Sequence, residues 1–115
     1  MNETWRNLHK NQINKFKNKP VMDNGKRFSS KLEHAYKNYL ELLKSQGKVL
    51  FYLMQVPIDI IGGTKYILDF LVFYENGDVK FIDTKGVETP TFKLKKKQVE
   101  ALYPFTIEII KKGDF

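Results

Sequence analysis

The stretch YILDFLVFYENGDVKFIDTKG, residues 66–86, decides how this 115-residue chain folds. Two runs rich in β-branched and aromatic residues, Lys65 to Tyr74 and Val79 to Thr84, flank Asn76-Gly77, which predicts two strands joined by a tight turn. Asp69, Asp83 and Lys85 sit in these runs among neighbours apolar enough to be buried. An ionised group leaves water at a cost unless something pairs with it, so these three residues need an explanation.

Whether the two aspartates meet depends on the turn. A two-residue Asn76-Gly77 loop pairs Glu75 with Asp78, sets Asp69 opposite Thr84 and sends Asp83 to the other face. A three-residue loop, Glu75-Asn76-Gly77 with Gly77 left-handed in a bulge, pairs Tyr74 with Asp78. Asp69 then lies opposite Asp83, Leu71 opposite Phe81 and Phe73 opposite Val79. Asn-Gly suits both turns. Facing carboxylates in a half-buried sheet repel each other, and a shared divalent cation would relieve that, so the bulged register is the expectation. The plainer alternative is a strand-end ion pair between Asp83 and Lys85, with Asp69 capping a backbone group.

Outward from the hairpin, apolar positions at helical spacing predict a helix from Ser29 or Ser30 to about Ser45, stopped by Gly47. Ser30 and Glu33 form a capping-box pattern, which would turn the Glu33 carboxylate back on the N-cap. Glu33 also lies at the edge of the apolar stripe, where it could point under the sheet. Val49 to Val56 is continuously apolar and is expected to be a strand covered on both faces, followed by Ile58 to Ile61 and a Gly62-Gly63 turn. Thr89-Pro90 reads as a helix start, with a helix over Thr91 to Tyr103 stopped by Pro104 and a last strand over Phe105 to Ile110. Val99 and Leu102 are expected in the core. The fold class is α/β, a central mixed sheet flanked by helices in the order α-β-β-β-α-β. Upstream, Asp23-Asn24-Gly25 allows a small hairpin between Val21-Met22 and Arg27-Phe28. Residues 1–19 read as a basic N-terminal arm, and residues 20–115 as one domain.

With 42% hydrophobic and 14% aromatic residues, the chain can bury a core without covalent staples. It has no cysteine and two histidines, which excludes disulfides, thiolate zinc sites and cysteine nucleophiles and leaves carboxylates with hard cations as the expected metal chemistry. The net charge of +7 favours a polyanionic partner. Lysines and arginines cluster near the N-terminus and again at Lys93, Lys95, Lys96 and Lys97. The polar, basic N-terminus is unlike a signal peptide, and no apolar run approaches the roughly 20 residues that span a bilayer, so no membrane partner and a cytoplasmic location are expected.

Glu33 on a helix, Asp69 on a strand and Asp83-Thr84-Lys85 on the next strand together resemble the active site of the PD-(D/E)XK nuclease superfamily. The resemblance is to its small phage- and prophage-encoded members, kin to Holliday junction resolvases and recombination endonucleases. The matching phrases are Phe28-Ser29-Ser30-Lys31-Leu32-Glu33, Tyr66-Ile67-Leu68-Asp69-Phe70, Asp83-Thr84-Lys85-Gly86 and Phe92-Lys93-Leu94-Lys95. The similarity spans roughly Pro20 to Ile110, with Leu68 standing where the family often has proline.

The resemblance implies a restriction-endonuclease-like core and a Mg²⁺- or Mn²⁺-dependent DNA endonuclease acting on branched or recombination intermediates and leaving a 5′-phosphate. Asp69, Asp83 and the Thr84 carbonyl would hold the metal. Glu33 would position the attacking water, directly or through a second ion, and Lys85 would orient the nucleophile and stabilise the developing charge. Lys31, Gly86, Lys93, Lys95, Lys96, Lys97 and Gln98 would contact DNA. A homodimer is expected, since cutting two strands of a junction calls for two sites, and the location is the host bacterial cytoplasm if the chain is phage-encoded. The rival reading is a non-catalytic basic nucleic-acid-binding module of phage origin.

Overall fold

The computed structural model describes residues 21–23, 26–28 and 30–115. The expected basic arm and the Asn24-Gly25 turn lie outside them. Strands β1 (Val21–Asp23) and β2 (Lys26–Phe28) pair antiparallel as a small separate hairpin, with Val21 opposite Phe28. Helix α1 (Lys31–Ser45) follows, then β3 (Val49–Asp59), β4 (Lys65–Tyr74), β5 (Val79–Thr84), helix α2 (Pro90–Leu102) and β6 (Ile107–Ile110). The main sheet runs β3-β4-β5-β6, antiparallel except for the parallel β5–β6 pair that α2 connects, which is the expected α-β-β-β-α-β layout.

Local chemistry sets the ends of both helices. Ser30 Oγ accepts the Glu33 N–H at 3.2 Å to cap α1, and the chain leaves that helix through Gly47 at φ 75°, a left-handed turn that suits glycine. Thr89 Oγ1 accepts the Phe92 N–H at 3.1 Å to cap α2, with Pro90 in the first turn. Helix α1 lays Tyr36 and Leu40 against Val49, Phe70, Val72 and Ile82. A second core gathers Val99 of α2 with Ile58, Ile60, Tyr66, Leu68 and Ile107.

The hairpin takes the bulged register. Gly77 has φ 93°, the Tyr74 N–H donates to the Asp78 carbonyl at 2.8 Å, and the Gly77 N–H donates to the Tyr74 carbonyl at 3.1 Å. Asn76 Oδ1 accepts the Asp78 N–H at 2.9 Å, which fixes the turn from within. Phe73 therefore faces Val79, Leu71 faces Phe81 and Phe70 faces Ile82.

Two expectations about burial are corrected. Strand β3 is not covered on both faces: it is the sheet edge, and Phe51 and Leu53 remain 45% and 48% exposed. Its apolar character instead builds an open patch, in which Phe51 stacks on Phe73 at 4.3 Å beside the exposed Val79. Leu102 is exposed rather than core, because α2 turns Val99 inward and ends at Leu102 itself. The last strand also starts later than Phe105: that ring stacks on Phe81 at 3.7 Å, and the Tyr103 hydroxyl donates to the Asp59 carbonyl at 2.8 Å, so the approach to β6 is a packed loop.

Candidate functional site

The site grows from one irregular row across the sheet. Strand β3 pairs with β4 through Met54–Phe70 and Val56–Leu68, which brings Gln55 opposite Asp69 without a ladder pair between them. The β4–β5 ladder ends at Phe70–Ile82, and its next step brings Asp83 opposite Asp69 from the other side. Core membership changes at the same row. Phe70 and Val72 belong to the α1 core, whereas Leu68 and Tyr66, of the same parity, belong to the α2 core. Met54 and Val56 divide in the same way on β3.

Carboxylates take over where the ladder stops. The Asp69 N–H donates to Asp83 Oδ1 at 2.8 Å, while the Thr84 N–H and the Thr84 hydroxyl both donate to Asp69 Oδ2 at 2.9 Å. Each aspartate thus spends one oxygen on a group of the neighbouring strand, as the plainer sequence reading anticipated for Asp69. What that reading does not cover is Asp83 Oδ2, which is buried and has no hydrogen-bond partner. Asp83 is 1% exposed, and burial pushes its carboxyl up from the usual 3.8 to about 6, against the opposing pull of the Asp69 N–H and the Lys85 charge.

Lys85 is not the strand-end ion-pair partner of Asp83. Its ammonium lies over the Phe92 ring, 4.7 Å from the centroid, while its backbone N–H donates to the Ile110 carbonyl at 3.0 Å. The first turn of α2 therefore holds the lysine beside the aspartates. Glu33 is fully buried, and its carboxylate accepts a short hydrogen bond from Gln55 Nε2, so it points under the sheet while its own N–H serves the Ser30 cap.

The expected site residues therefore separate into two groups. Asp69, Asp83 and Thr84 are in direct contact, and Glu33 reaches their row through Gln55. Among the expected DNA contacts, Lys31, Lys93, Lys97 and Gln98 are exposed and Lys95 is half-buried. Lys96 is committed to Glu100 at 3.1 Å, an ion pair that reduces its availability to phosphate. A Cβ at Gly86 would meet no atom within 4 Å, so the fold itself does not demand glycine there. Sequence reasoning missed Gln55 and Phe92. Gln55 had a signal, as the one amide in the apolar run from Val49 to Val56.

Among the described residues, no group of three or more His, Cys, Asp or Glu side chains converges to hold a metal ion. The donor chemistry still fits a hard divalent cation. Asp83 Oδ2 is a buried anionic oxygen without a partner, and further donors would have to be neutral oxygens such as the Thr84 carbonyl. Also among the described residues, no helix is long and apolar enough to cross a membrane.

Residues 13–112 match the model of a family described as "Protein of unknown function (DUF1064)", and the chain belongs to that family. No curated protein and no solved structure matches it.

Proposed function

We propose that this member of the DUF1064 family is a metal-dependent DNA endonuclease of the PD-(D/E)XK type. In this reading it hydrolyses phosphodiester bonds in branched or recombination intermediates, leaving 5′-phosphates, in the manner of a Holliday junction resolvase. The observation that carries the proposal is the unpartnered Asp83 Oδ2, held beside Asp69 at a row where the sheet gives up its own hydrogen bonds. Burying a carboxylate without a partner costs stability, and a binding role explains why the cost is tolerated.

Asp69, Asp83 and the Thr84 carbonyl would hold Mg²⁺ or Mn²⁺. A bound ion of this kind polarises a scissile phosphate and lowers the pKa of a water. Thr84 clamps Asp69 Oδ2 through two donors, so that carboxylate cannot swing. Lys85, steadied by Phe92, would orient the nucleophile and counter charge on the phosphate oxygens. Glu33, held by Gln55, would position water from beneath the sheet. The net charge of +7 and exposed Lys31, Lys93 and Lys97 support DNA as the partner. The open patch of Phe51, Leu53, Phe73 and Val79 on the sheet supports a homodimer, and the reading places the enzyme in the cytoplasm.

The net charge of +7 and the exposed Lys31, Lys93 and Lys97 serve equally a second reading, a basic nucleic-acid-binding module without catalysis. One assay separates them. Supercoiled plasmid and a synthetic four-way junction are incubated with protein in Mg²⁺, Mn²⁺ or EDTA, comparing wild type with Asp83→Ala. The nuclease reading expects metal-dependent cutting that Asp83→Ala abolishes. Binding without cutting favours the module, and cutting that survives Asp83→Ala overturns the site.

A further inference from the structure

Gln55 is the one non-glycine residue among the described residues with positive φ, at 55°. A residue with a long side chain adopts that conformation only where its surroundings enforce it. The strain falls on the row of the two aspartates, where β3 and β4 exchange cores. Its effect is to aim a polar side chain into a row whose flanking residues, Met54 and Val56, pack into apolar cores.

The two ends of the Gln55 amide have different fates. Its Nε2 donates to Glu33 Oε1. The other end, Oε1, is buried and has no partner. Three buried side-chain atoms among the described residues share that condition: Gln55 Oε1, Asp83 Oδ2 and the Tyr66 hydroxyl. The first two belong to residues that flank Asp69 on its two neighbouring strands. Strain and an orphaned acceptor coincide at Gln55, and a fold gains nothing from either.

We propose that Gln55 Oε1 is a ligand to the divalent cation that Asp83 Oδ2 also binds, while Gln55 Nε2 anchors Glu33 outside the ligand set. This rests on the metal-site reading above and deepens it. Among the described residues no third carboxylate joins the pair, and the Gln55 amide adds a neutral oxygen to that of the Thr84 carbonyl. An amide oxygen is a hard donor suited to Mg²⁺ or Mn²⁺. With fewer anionic ligands, the site takes the ion more weakly on its own and more readily together with a phosphate oxygen of the substrate.

The test is titration of the full chain with MnCl₂, by calorimetry and by the metal-induced shift in melting temperature, for wild type, Gln55→Met, Gln55→Glu and Asp83→Asn. Gln55→Met keeps the length of the side chain and removes the oxygen, and its Mn²⁺ affinity should fall on the order of tenfold or more, as losses at metal sites do. Gln55→Glu puts a carboxylate against Glu33, so its metal-free melting temperature should fall while Mn²⁺ raises it by more than in wild type. Wild-type affinity in Gln55→Met, with binding lost in Asp83→Asn, overturns the Gln55 ligand and leaves the aspartate site standing. Wild-type affinity in Asp83→Asn overturns the metal-site reading and the Gln55 ligand together. Should Gln55→Met fail to fold, Gln55→Glu decides, because weaker Mn²⁺ binding than wild type there excludes an oxygen ligand at this position.

Discussion

Asp69 and Asp83 are joined by a 2.8 Å hydrogen bond from the Asp69 N–H to Asp83 Oδ1, a side chain taking the place of a backbone acceptor just beyond the last ladder pair, Phe70–Ile82. The substitution splits the Asp83 carboxylate into one committed oxygen and one buried, unpartnered oxygen. A structural cap needs only the first. The second gives the residue a cost in stability that is measurable without knowing any substrate.

Asp83 should make the protein less stable as pH rises. Its folded carboxyl lies at about 6 against an ordinary 3.8, so between those values the folded state binds more protons than the unfolded chain. Stability from this group is therefore full below about pH 4 and lost as pH climbs through 6, a swing of about 3 kcal/mol. Asp83→Asn keeps an oxygen for the Asp69 N–H and does not titrate. Allowing for its own unpaired amide hydrogen, it should be roughly 1–2 kcal/mol more stable than wild type at pH 8 and lose that advantage by pH 4. Urea melts across this range read the difference. Parallel pH curves for the two proteins would contradict it.

The turn that aligns the aspartates carries its own prediction. Gly77 sits at φ 93° with open space where a Cβ would go, so alanine there meets strain rather than a clash. Gly77→Ala should cost about 1 kcal/mol, which lowers the melting temperature by about 4–8 °C in a domain of this size. Because register is held by Asn76 Oδ1 and by the cross-strand pairs as well, divalent-ion binding should survive. A melting temperature unchanged within 1 °C, by calorimetry, would deny the left-handed bulge.

Much of this geometry was legible because the hairpin obeys local rules. Runs of β-branched and aromatic residues over 65–74 and 79–84 marked both strands, and the idea of a cation shared by Asp69 and Asp83 selected the bulged turn where Asn-Gly alone did not. Glu33 defeated an either-or reading, since its N–H takes the Ser30 cap while its carboxylate goes under the sheet. Strand β3 was misread because a continuous apolar run looks the same whether it is buried or builds an exposed patch. The lone amide in an apolar run marked Gln55, but not the direction of its side chain, because a left-handed φ in a non-glycine residue is imposed by tertiary packing and has no local code.

Lys85 and Phe92 should separate binding from chemistry. If the ammonium serves the phosphate rather than the ion, Lys85→Met should leave Mn²⁺ affinity within a few-fold and lower plasmid nicking by about 100-fold or more. Phe92→Leu removes only the ring beneath the ammonium, 4.7 Å away, and should cost about 3- to 10-fold in rate, the equivalent of about 1 kcal/mol. Nicking rates at saturating Mn²⁺ compare the two. A Lys85→Met variant that cuts normally would remove Lys85 from the machinery.

The exposed apolar grid predicts the oligomeric state. Phe51, Phe73 and Val79 lie side by side across three strands, with Leu53 beside them and Leu71 and Phe81 in the next row packed toward the α2 core, and among the described residues β3 is the edge strand. Phe51, Leu53 and Val79 are each close to half exposed, an arrangement a monomer has no reason to keep contiguous. Sedimentation velocity should show a dimer at micromolar concentration that Phe51→Glu converts to monomer. The substitution lies on an exposed edge-strand position, so its folding cost should stay below about 1 kcal/mol, verified by the same urea melts. A two-strand cutter held together through this face should then lose paired cutting of a four-way junction while single nicks persist. A wild-type protein that sediments as a monomer at 100-fold higher concentration would exclude this face as a dimer interface.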